Sequence, residues 1–173
     1  ASYDAERIAA SDENILNSSR STDFMTPKSQ AVRDIRDAVL ALARDHGFAR
    51  RMVNSGRLSV PAVLDGSPLN TPDVGAFNGP MRPGAAALDA PVVTADGTGW
   101  LLHQFSGDFT VLIYLGEAND GPPDGWLSTL PAMVNPLVIA PISGAGALGD
   151  AEGQLRERYD LKPGTVYLIR PDQ

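Results

Sequence analysis

The feature that most restricts this chain is a change in the spacing of its apolar residues, from steps of three and four before residue 61 to short β-rich runs after residue 99. Val32, Ile35, Val39 and Leu42 fall on one face of a helix, and Arg33, Asp34, Arg36, Asp37 and Arg44 fall mostly elsewhere. Burying four aliphatic side chains contributes roughly 6–12 kcal/mol, at about 1.5–3 kcal/mol each, so this helix needs a partner surface. Thr26-Pro27 is predicted as its N-cap and first residue, and Gly47, after His46, as its left-handed C-cap. A second helix is predicted over Ser2 to Leu16, with Tyr3, Ile8, Ile15 and Leu16 as its larger apolar residues. It begins without a cap and reads as the tail of a helix entered upstream. With no initiator Met, the expectation is a piece of a longer protein.

From Pro61 to Gly99 the chain is crowded with turn formers, among them Ser67-Pro68, Thr71-Pro72, Gly79-Pro80 and Arg82-Pro83-Gly84. Val60, Val63, Leu64, Leu69, Phe77 and Met81 punctuate it, which predicts an ordered surface crossover rather than a tether. Beyond it, strands are predicted at Trp100–Phe105, Phe109–Leu115, Leu137–Ile142 and Thr165–Arg170, with helices near Trp126–Leu130 and Asp150–Tyr159. Ser106-Gly107-Asp108 would turn a hairpin between the first two strands. This order predicts an α/β protein with a mixed sheet. The expected organisation is a helical segment over 1–60, a Pro/Gly-rich crossover over 61–98 and a sheet domain over 99–173.

Charge divides the chain similarly. Residues 1–70 carry nine Lys/Arg and nine Asp/Glu, whereas 71–173 carry five and twelve, so the second part supplies the whole net charge of −7. That balance opposes nucleic-acid and anionic-membrane partners. No apolar run is long enough to span a bilayer and no targeting segment is evident, so a soluble protein is expected, and the lack of cysteine fits a cytoplasmic location. The absence of cysteine excludes disulfides, thiolate nucleophiles and thiolate-ligated metal.

Several segments, in order, resemble the class A FAD-dependent aromatic hydroxylases, the group of phenol, hydroxyphenylpropionate and polyketide hydroxylases. Tyr3-Asp4-Ala5-Glu6-Arg7 is similar to the Tyr-x-x-Glu-Arg segment that follows that family's FAD-contacting helix. Ser21-Thr22-Asp23-Phe24, Asn54-Ser55-Gly56-Arg57-Leu58-Ser59 and Ser67-Pro68-Leu69-Asn70 resemble its middle region. Met81-Arg82-Pro83-Gly84, Asp89-Ala90-Pro91-Val92 and Leu168-Ile169-Arg170-Pro171-Asp172 resemble its C-terminal thioredoxin-like domain, here without the Cys-x-x-Cys. The resemblance covers nearly the whole chain but only the C-terminal half or less of such an enzyme. It implies a parent monooxygenase that uses FAD, NAD(P)H and oxygen. The chain itself would be non-catalytic support, its partners the N-terminal FAD and substrate domain of the same protein and, in a dimer, a second copy. The alternative is a stand-alone, cysteine-free thioredoxin-like binding module.

Gly144-Ala145-Gly146-Ala147-Leu148-Gly149 fits a dinucleotide fingerprint, Gly-x-Gly-x-x-Gly between a strand and a helix, with Asp172 further on. Pro136 and Pro141 bracket that strand, Gly153 and Pro163 shorten the helix, and little chain remains behind it, so a Gly/Ala-rich loop is the preferred reading. His46 is expected at a helix C-terminus and His103 within a strand. Arg50, Arg51 and Arg57 form a basic cluster expected to be solvated or ion-paired, the alternative being contact with an FAD domain or a partner subunit, and Trp100 and Trp126 are expected to pack in a core or interface. No residue of this chain is assigned a catalytic, cofactor-binding or metal-binding role.

Overall fold

A computed structural model describes the chain except residues 1, 54–59, 74, 76, 117–121, 123, 124, 145 and 173. The chain is an α/β protein in which helices precede a mixed sheet, and it contains no cysteine. It divides into two compact units, residues 1–71 and 72–173.

The first unit is helical: α1 (Ser2–Met25), α2 (Gln30–Asp45) and α3 (Gly47–Val53). α1 runs on well past Leu16, through the Ser21–Phe24 segment. Its last turn takes the Thr26 main-chain N–H onto the Thr22 carbonyl at 2.8 Å, and the Thr26 hydroxyl donates there too at 2.7 Å. Thr26 is thereby spent on closing α1, and the N-cap of α2 falls to Ser29, whose side chain accepts from Val32 N–H at 3.3 Å. The expected left-handed cap at Gly47 is likewise replaced. His46 ends α2 with extended backbone, φ −120°, and Gly47 opens α3.

α2 separates apolar from charged residues as its spacing predicts, yet none of its residues is buried. Ile35 is 64% exposed, and Val32 and Leu42 are also exposed. The burial expected of this face does not occur within the unit, whose described buried residues are Glu6 and Ala49.

The second unit carries the core. Its strands are β1 (Pro91–Thr94), β2 (Gly97–Trp100), β3 (Phe109–Tyr114), β4 (Val134–Ala140), β5 (Leu148–Gly149) and β6 (Val166–Ile169), in the order β2-β1-β5-β4-β3-β6. β4 runs parallel to β3 and β5, and the remaining pairs are antiparallel. The first hairpin is β1–β2, turning at Ala95-Asp96, not the one expected at Ser106–Asp108. Only Trp100 of the expected Trp100–Phe105 strand is strand; Leu101–Gln104 forms a 310 turn that buries Leu101. The helix expected near Trp126 is a 310 turn over Leu127–Thr129. The last helix, α4 (Gln154–Tyr159), is shorter than expected.

Pro136 lies inside β4 rather than before it. Met133 and Ile139 accept from Phe109 N–H at 3.1 Å and Leu115 N–H at 3.0 Å, so the odd-numbered residues of β4 serve the β3 ladder. Pro136 therefore turns its main chain to the other side, where β5 reaches only Ile139 and Ala140. Its missing donor costs no ladder bond, which is how a proline is accommodated here.

One sheet face bears the core: Val92, Leu112 and Ile139 pack with Leu101 and with Leu155 and Tyr159 of α4, all fully buried. The segment before β1 closes it through Met81, Ala87, Leu88 and Ala90. On the opposite face Val111 and Ile113 lie across from Leu168 and Val166 of edge strand β6. The β3 residues are buried, whereas Val166 and Leu168 are 51% and 60% exposed.

Candidate functional site

Three carboxylates of the second unit, Asp150, Asp89 and Asp160, hold its main chain. Asp150 is buried, and its carboxylate accepts from Leu155 N–H at 3.0 Å and Arg156 N–H at 2.8 Å. It closes the N-terminus of α4, where an acid opposes the positive helix end. The Asp89 carboxylate accepts from the Ala90 and Leu102 N–H groups at 3.0 and 3.1 Å, tying the entry of β1 to the 310 turn. Asp160, with φ 45°, accepts from Asn78 N–H at 2.9 Å and pairs with Lys162 at 3.3 Å. The Asn78 bond, more than Lys162, holds its carboxyl below the usual range.

The Gly144–Gly149 segment is built unlike a dinucleotide loop. Gly149 sits within β5, opposite Val93 and beside Ala140, rather than opening a helix. A Cβ there would come within 2.7 Å of Ser143 N. α4 starts only at Gln154, and the N–H groups a pyrophosphate would need are held by Asp150. A phosphate would meet a buried carboxylate, so these residues do not fit FAD or NAD(P)H. Packing explains the third glycine.

The remaining candidates resolve one by one. Arg50 donates to the Ala43 carbonyl at 2.8 Å through Nε and to the Arg44 carbonyl at 2.7 Å through Nη2, satisfying the open C-terminus of α2. Arg51 is exposed, and Arg57, with the whole Asn54–Ser59 segment, lies outside the described residues. His46 is the C-cap of α2, its main-chain N–H donating to Leu42. His103 is exposed on the 310 turn, not within a strand. Trp100 is 49% exposed and so lies outside the core, while Trp126 is partly buried.

Sequence reasoning did not single out a tie in the first unit. Glu6 of α1 is buried, and its Oε1 accepts from the Ser67 hydroxyl at 2.5 Å. Ser67 Oγ in turn accepts from Leu69 N–H at 3.2 Å, and Asn70 Nδ2 donates to the Leu64 carbonyl at 2.8 Å. A cleft of about 60 Å³ lies here, with Ala5, Ala9, Asp65 and Pro68 among its lining. It has room for a few water molecules. Both residues belong to segments already noted, Tyr3–Arg7 and Ser67–Asn70, but nothing in either segment alone signals that they meet.

Among the described residues no group of three His, Asp or Glu side chains could hold a metal ion, and no helix is long and apolar enough to cross a membrane. No buried side-chain nitrogen or oxygen among them lacks a hydrogen-bond partner. No protein-family model matches this chain, and no curated protein sequence matches it.

Proposed function

We propose that this chain is the C-terminal structural and assembly region of an FAD-dependent aromatic hydroxylase, a cytoplasmic monooxygenase consuming NAD(P)H and oxygen, and that the chain does not itself catalyse. FAD and NAD(P)H would be held by residues outside it, since its one fingerprint-like loop does not fit them. The observation that carries the reading is the apolar face of α2, which separates cleanly from charge yet has no buried residue. A helix of this length owes its stability mainly to packing of such a face. The N-terminal FAD and substrate domain of the same protein is the surface we assign to it. The ordered resemblance from Tyr3 to Asp172 supports that assignment.

The sheet unit favours the second reading, a stand-alone binding module, to the extent that it has a core of its own around Leu112, Ile139 and Tyr159. Hydrogen exchange on residues 1–173 as an isolated chain, with FAD added, separates the two. The hydroxylase reading expects protected amides in β3 and β4, little protection in α2 and no flavin bound. Strong protection of α2 in a monomer, or FAD retained at one per chain, would overturn it.

A further inference from the structure

We draw no further inference here: the strongest candidate, the exposed apolar face of α2 carrying Val32, Ile35 and Leu42, supports nothing beyond the proposal already made, because nothing in the structure shows what covers it.

Discussion

The Tyr167 hydroxyl donates to the main-chain oxygen of Tyr159 at 2.7 Å, and the two rings meet edge to face with centroids 5.4 Å apart. The Tyr159 hydroxyl reaches on to the Leu88 carbonyl at 2.8 Å. Two phenols thus join α4, β6 and the segment before β1. Burial raises both pKa values, that of Tyr167 to about 12.

The sign of the resulting pH dependence follows from proton counting. An unfolded tyrosine loses its proton near pH 10.0, whereas these folded ones keep theirs to higher pH. The folded state binds more protons in that window, so its stability is full below pH 10 and falls as pH rises above it. Absorbance of tyrosinate and near-ultraviolet circular dichroism, followed together from pH 9 upward, should show these two phenols ionising as the sheet unit unfolds. Free ionisation of all four tyrosines near pH 10 with the fold intact would contradict the packing described.

Asp150→Ala removes an acceptor for two α4 N–H groups and should destabilise the sheet unit by about 1–2 kcal/mol, in the range of a lost N-cap. Asp150→Asn keeps an acceptor oxygen and should cost less. Urea unfolding of the three proteins checks the order; an alanine variant as stable as the parent would remove the capping role.

Gly149→Ala should cost about 1–3 kcal/mol, because the added methyl meets the Ser143 backbone. Gly144→Ala has open space around its new Cβ and should change stability by no more than about 0.5 kcal/mol. A dinucleotide loop would show its largest effect in nucleotide affinity. Thermal unfolding of both variants, with and without added NADH, distinguishes packing from binding.

Ser67→Ala breaks the tie to Glu6. The Leu69 N–H donates to the Ser67 hydroxyl and loses that bond in any case, so the tie is read at Asn70. Loss of a hydrogen bond to a charged group, about 1.5–3 kcal/mol, should speed amide exchange at that residue by about tenfold or more. Unchanged exchange there would mean that the turn at 64–70 holds without α1.

How much of this was legible in the sequence depends on what each element responds to. Periodicity located α2 and β3, because their apolar positions answer to a single burial direction. Caps were misplaced where two candidates competed: Thr26 and Ser29 are both good N-caps, and only the closing turn of α1 decides between them. β1 and β5 were missed because Pro91 begins one and the other is two residues long, their pairing set by the sheet rather than by local propensity. The Trp100–Phe105 run is apolar enough for a strand, but Asp89 fixes the Leu102 N–H and bends it into a 310 turn. The Glu6–Ser67 pair spans sixty-one positions and leaves no local trace.

The central claim, that these residues are the rear part of a flavin hydroxylase, is tested most directly by sequencing the reading frame upstream of the codon for Ala1 in the source DNA. The account predicts a βαβ unit with Gly-x-Gly-x-x-Gly near a start codon and a Gly-Asp motif shortly before Tyr3. A stop codon followed by a start site immediately upstream of Ala1 would contradict it and leave the stand-alone module.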